Sequence, residues 1–307
     1  MRKQVARRIF VAFLCVSGFA QMADISGETQ LVHLQRRYKA ARWNTGAFER
    51  ECKSDAEPGA VEGLVNSCAS TRMMLLEAVA CQRGRAPIHD VSVWRLPNSQ
   101  AFFFVSGMTI DADGAPNAYS PDDTGLDELA NAGTPARWDG IVTDPGGNPL
   151  VQNDGDPSPG YYISCTSLSD KTKKFNDQTA YVDASNIPYV VLPREVADRG
   201  GARLGDFAFV MNLRNGRSSF AIYADIGTLG EGSVALAKTL GIRSDARRGG
   251  QTDGIFYLLF AGSGNLRPRT NGEIQTEGER LLVDHAGNMR DLSSCIEDDG
   301  AVASGKF

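Results

Sequence analysis

The chain has 307 residues, 42% of them hydrophobic and 22% charged, with a formal net charge of -5. That length buries a substantial core and that balance excludes a disordered or fibrous chain. The acid excess gathers after residue 86: residues 86–307 hold 29 Asp and Glu against 19 Lys and Arg, and residues 111–183 hold 13 against four. Nucleic acid is excluded as a partner, because phosphate binding needs a basic face. An acidic surface suits a cationic substrate, although solubility and aspartates serving turns explain it as well.

Residues 1–20 read as a secretory signal. MRKQVARR is a basic stretch, IFVAFLCVSGFA is an apolar run too short to span a bilayer, and Gly18-Phe19-Ala20 offers small residues for cleavage. The mature protein is expected to be exported, extracellular or periplasmic, with no membrane span. Export permits disulfides among Cys52, Cys68, Cys81, Cys165 and Cys295, and an odd number leaves at least one thiol unpaired within the chain. The lack of a C-x-x-C or a Cys/His cluster argues against a zinc or redox centre.

Residues 21–86 are expected to form a small helical segment. ETQLVHLQRRYKAARW and AVEGLVNSCASTRMMLLEAVACQ repeat apolar residues at spacings of three and four, and EPGA at 57–60 separates them. From residue 87 to 295 the texture is that of strands. VSVWRLP, AFFFVSGMTI, GYYISCTSL, AYVDAS, IPYVVLP, DFAFVMNL, SSFAIYAD and GIFYLLFAG are short β-branched or aromatic runs bounded by Gly, Pro, Asn and Asp. One helix, SVALAKTLGI, reads firmly here, with Ser233 as N-cap and Gly241 as its stop. The expected class is mainly β, a barrel or a sandwich. Residues 296–307 read as a flexible tail.

The stretch 218-SSFAIYADIGTLGEGSVALAKTL-240 carries the most chemistry. Alternation places Asp225 at a strand end on the face of Tyr223, and Glu231 follows six positions later in a glycine-rich turn. The order G-x-x-G-x-G without a following Gly-Lys-Ser/Thr is a poor phosphate cradle. Two carboxylates so placed suit acid/base hydrolysis of a glycosidic bond, but sequence spacing does not choose between the inverting and retaining separations. Equally, Asp225 caps a turn and Glu231 favours the positive start of the helix at Ser233. No H-E-x-x-H and no G-x-S-x-G occurs, and 111-DADGAPNAYSPDD-123 matches a calcium loop poorly. No metal and no organic cofactor is expected.

The blocks FVSGMTIDADGAPNAYSPDDTGLDELANAG, GIVTD, DPSPGYYISCTSL, YVDASNIPYVVLP, LGDFAFVMNL and YADIGTLGEGSVALAKTLGI occur in that order over residues 100–262. Together they resemble glycoside hydrolase family 75, the endo-acting chitosanases. The resemblance implies a six-stranded, double-psi-like barrel, secretion, and cleavage of β-1,4 bonds of chitosan with inversion. It implies Asp225 as general base and Glu231 as general acid. The sequence departs from the family at Ser120, where many relatives are expected to carry a histidine. On this reading Asp111, Asp113, Asp122 and Asp123 are candidate contacts to a cationic polysaccharide, with Tyr119 as a sugar platform. A monomer is expected. The alternatives are a non-catalytic amino-sugar-binding protein and a hydrolase of another cell-envelope glycan.

Overall fold

The computed structural model describes residues 74–80, 89–96, 98–135 and 137–285, together with Val32 and Gln35. The signal, most of the helical segment, the tail and the cysteines other than Cys165 lie outside the described residues. Val32 and Gln35 are helical.

In chain order the strands are β1 Met74–Ala80, β2 His89–Arg95, β3 Phe102–Asp111, β4 Gly133–Thr134, β5 Arg137–Trp138 and β6 Tyr189–Leu192. They continue with β7 Phe207–Asn212, β8 Ser218–Ile226, β9 Glu231–Ser233 and β10 Gln251–Phe260. The helices are α1 Arg194–Gly200, α2 Val234–Thr239 and α3 Asn271–His285. Strands β3, β10, β7, β8, β6 and β9 pair in that order, and β9 returns to β3, so six strands close a barrel. Two of these pairings are parallel, β6 with β8 and β3 with β9, and the rest are antiparallel. β2 and β1 extend the sheet outward from β3.

Closure explains why the strand sequences are apolar runs and not alternating ones. Every residue of β6 and β7 is buried, because one face fills the barrel and the other is covered from outside. Phe104 and Tyr257, register partners across β3 and β10, stack at 4.6 Å between centroids. On the outside, α3 lies on β8 and β7. Its Gly278 packs so closely that a Cβ there would stand 2.4 Å from the Phe220 ring.

Two sequence expectations need correction. MLLEAVA, read as the end of a helix, is strand β1, paired antiparallel with β2 from Met74↔Trp94 to Ala80↔His89. Leu, Met, Glu and Ala favour helix only weakly, and cross-strand pairing overrides that preference. GYYISCTSL and AYVDAS, read as strands, make only isolated bridges, Ile141↔Ser164, Val151↔Tyr162 and Ser169↔Tyr181. They belong to a long excursion, residues 112–188, between β3 and β6. Buried glutamines replace sheet bonds there: Gln178 accepts from Ser164 N and donates to the carbonyls of Gly114 and Ser164, at 2.8, 3.0 and 3.1 Å. The excursion is tied to the barrel where Leu168 N donates to Ala224 O at 2.9 Å.

Candidate active site

The ends of β3, β8 and β9 meet under this excursion. β3 ends in Asp111, β8 carries Asp225 next to its last residue, and β9 begins with Glu231. A bulge in β8 sets Tyr223 against Val190 but Asp225 against Val191. One step along β6 thus matches two along β8, which breaks the simple alternation read from the sequence and re-aims the aspartate. Glu231 is paired with the same residue, Val191, from the other side of β6. Asp225 and Glu231 therefore stand level, two inter-strand spacings or ~9–10 Å apart between backbones.

The turn between them is built by glycines. Gly230 has φ 85, a left-handed conformation that side chains resist. Gly227 is required by close approach: a Cβ there would lie 2.7 Å from Glu231 Oε2. That oxygen accepts from Thr228 N at 2.8 Å, so the carboxylate folds back over its own turn. Ser233 caps α2, as its sequence position suggested. Its Oγ accepts from Leu236 N at 3.1 Å and donates to Ile187 O at 2.8 Å. Gly241 follows the helix with φ 68.

Asp225 is 7% exposed. Its Oδ1 accepts from Ser167 Oγ at 2.5 Å, Ser167 N at 3.0 Å and Ile226 N at 2.8 Å. Burial pushes its carboxyl up to about 6; the Ser167 hydroxyl and the two N–H groups pull it back, while Glu231 repels its charge. Asp111 and Asp113 join it, with carboxylate oxygens of all three within 4.8 Å of one another. Burial first, and Asp225 second, push Asp111 up to about 7. Burial, then Asp111 and Asp225, hold Asp113 well above the usual carboxylate range. The charged neighbours acting on this pair are further carboxylates, Asp225 and Asp127.

Two buried tyrosines hold the pair. Tyr119 OH donates to Asp113 Oδ1 at 2.5 Å, and Tyr189 OH donates to Asp113 O at 3.0 Å and also bonds Asp111. Burial and the carboxylates raise both phenols well above their ordinary value, so they remain protonated donors. Tyr119 is 1% exposed. Its expected role as a sugar platform is therefore corrected: a ring inside the core offers no face to a ligand, and its hydroxyl serves Asp113.

An all-oxygen trio is the type of donor set a hard cation takes. Here, however, Asp225 Oδ1 is filled by three N–H and O–H donors and Asp113 Oδ1 by a phenol. That pattern fits carboxyls that share protons, and it does not fit a cation held through those oxygens.

Asp122 and Asp123 stand apart from the trio, exposed on the loop that follows Tyr119. The Ser120 and Thr124 hydroxyls bond Asp122 at 2.7 Å each and hold its carboxyl below the usual range. Ser120, the departure from the family pattern, is thus a loop-forming residue in this chain. Asp123 accepts from Leu129 N at 2.8 Å and pairs with Arg247 at 3.0 Å. Arg247 also donates to the carbonyls of Asp123, Gly125 and Asp127, which fastens the loop. Cys165 is a free thiol that burial, followed by Asp113 and Asp225, pushes far up, which excludes thiolate chemistry. Sequence reasoning missed Ser167. A serine between Thr166 and Leu168 gives no signal, because only folding carries it to a residue 58 positions away.

No helix among the described residues is long and apolar enough to cross a membrane. A search of curated proteins finds no match. A family model described as fungal chitosanase of glycosyl hydrolase group 75 matches residues 139–286. The matched segment contains Ser167, Asp225 and Glu231, whereas Asp111, Asp113 and Tyr119 precede it. Residues 139–286, which supply five of the six barrel strands together with Asp225 and Glu231, are thus a glycoside hydrolase family 75 domain, and the protein is a glycoside hydrolase of the chitosanase type.

Proposed function

We propose that the protein is a secreted endo-acting chitosanase that cleaves β-1,4 bonds with inversion, Glu231 acting as general acid and Asp225 as general base. The observation that carries this reading is the shared register with Val191, which holds the two residues level across β6. Two strand spacings, ~9–10 Å between backbones, suit the roughly 6.5–9.5 Å between carboxyls that leaves room for a water. In this reading Glu231 protonates the glycosidic oxygen, and Asp225 takes a proton from water as that water attacks the anomeric carbon from the opposite face. Asp225 is ionised, and competent as a base, above about pH 6. Substrate choice follows from charge: the excess of 13 Asp and Glu over four Lys and Arg in residues 111–183 favours the ammonium groups of glucosamine units.

The test is release of reducing ends from soluble chitosan at mildly acidic pH by the wild type, Asp225→Asn and Glu231→Gln, with the anomer of the first product followed by NMR. Activity lost in both variants, with α-configured product from the wild type, is expected. Product that retains the β configuration, or full activity in either variant, overturns the assignment.

A further inference from the structure

Ser167 lies outside every role given above except as a neighbour of Asp225. Its side chain sits at the surface, on the solvent side of a carboxyl that is 7% exposed. It reaches that carboxyl twice, through Oγ at 2.5 Å and N at 3.0 Å, and Ile226 N completes the set at 2.8 Å. The Ser167 Oγ also accepts from Ile226 N at 3.3 Å, which locks the serine to the strand it serves. All three donors converge on one oxygen, Oδ1. None of the described residues donates to Oδ2. The serine is itself held in place, since Leu168 N donates to Ala224 O at 2.9 Å and Thr166 Oγ1 donates to Leu168 O at 2.7 Å.

A carboxylate with one oxygen saturated and the other open has a defined division of labour. The saturated oxygen fixes the plane of the group, and the open one keeps its lone pairs for a proton. We infer that Ser167 is a positioning residue for hydrolysis: it immobilises Asp225 through Oδ1 and leaves Oδ2 as the oxygen that accepts the proton of the attacking water. This inference rests on the proposed role of Asp225 as base. The bookkeeping is simple. The water O–H bond breaks, its proton goes to Oδ2, the new C–O bond forms at the anomeric carbon, and the leaving oxygen collects its proton from Glu231.

The groups that face Asp225 from the packed elements are Ser167 and Cys165 from the excursion, Asp111 and Asp113 from the end of β3, Tyr189 from β6, Glu231 from β9 and Tyr223 from its own strand. Of these, Ser167 is the one whose hydroxyl donates to Asp225 and so favours its charged form.

The experiment compares wild type, Ser167→Ala and Ser167→Thr by pH profiles of kcat/KM on soluble chitosan, with Asp225→Asn as control. Removing a donor to the charged form raises the carboxyl pKa, so the acid limb of the alanine variant is expected to move upward by about one pH unit. A loss in kcat of about tenfold with little change in KM is expected beside it, and threonine is expected to restore both. An acid limb that stays in place in Ser167→Ala, whatever happens to kcat, overturns the positioning role. Retained activity in Asp225→Asn instead overturns the base assignment on which it rests, so the two failures are told apart.

Discussion

Neutralising Asp111 isolates the energetic consequence of gathering carboxyls at the end of the barrel. Asp111 moves from 3.8 to about 7 on folding. The folded state therefore holds its proton more tightly than the unfolded chain. The stability associated with that proton is fully present below about pH 4 and is lost as pH rises through about 7. At ~1.4 kcal/mol per pH unit the ceiling is about 4 kcal/mol, and because the side chain is only partly buried, solvent screening brings the expected difference to about 1–3 kcal/mol. In Asp111→Asn the bond from Asp113 N, 2.9 Å to Oδ1, has an amide oxygen to replace the carboxylate oxygen. Wild type and variant are expected to have closely similar stability at pH 4, and the variant is expected to be the more stable by about 1–3 kcal/mol at pH 8. Urea denaturation at intervals between the two pH values measures the difference. Parallel pH dependences, or a wild type that is more stable at pH 8, would refute the account of the cluster as charge-frustrated.

Two glycines supply further tests. In Gly227→Ala the new methyl would lie 2.7 Å from Glu231 Oε2 and 2.9 Å from Val191 Cγ1, which displaces the carboxylate from its turn. A fall in kcat of about 10²-fold with a preserved circular-dichroism spectrum is expected, and an unchanged rate on chitosan would count against the close-approach argument. Gly278→Ala sets two effects against each other. Helix propensity favours alanine by about 1 kcal/mol, whereas contact at 2.4 Å with Phe220 costs about 1–3 kcal/mol, so net destabilisation is expected in chemical denaturation and net stabilisation would show that α3 does not pack as described.

The barrel was largely legible because closure buries both faces of its strands. AFFFVSGMTI, IPYVVLP, DFAFVMNL, SSFAIYAD and GIFYLLFAG stand out for that reason and are β3, β6, β7, β8 and β10. The three residues of β9 were hidden in what reads as a turn, since Glu-Gly-Ser becomes a strand only when β3 and β6 pair with it from either side. Helix α3 was hidden by its own packing device. Ile274, Gly278 and Leu281 form its buried stripe, and the glycine that allows contact with Phe220 erases the apolar signal at the middle position. Asp225 and Glu231 were proposed as a pair from their setting and from the resemblance, and their level register depends on pairing to Val191. Asp111 and Asp113 were expected as substrate contacts. The structure places them against Asp225, because β3 ends where β8 ends, a relation fixed by topology and not by any local pattern.

The ring of strands is completed at β9, which joins Thr109–Asp111 of β3 to residues 231–233. These partners are separated by more than 120 positions in sequence, so bringing them together is among the long-range events that loop-closure entropy delays in folding. The same three residues begin with Glu231. Closing this seam therefore also sets Glu231 level with Asp225, and a folding intermediate with an open seam lacks that arrangement.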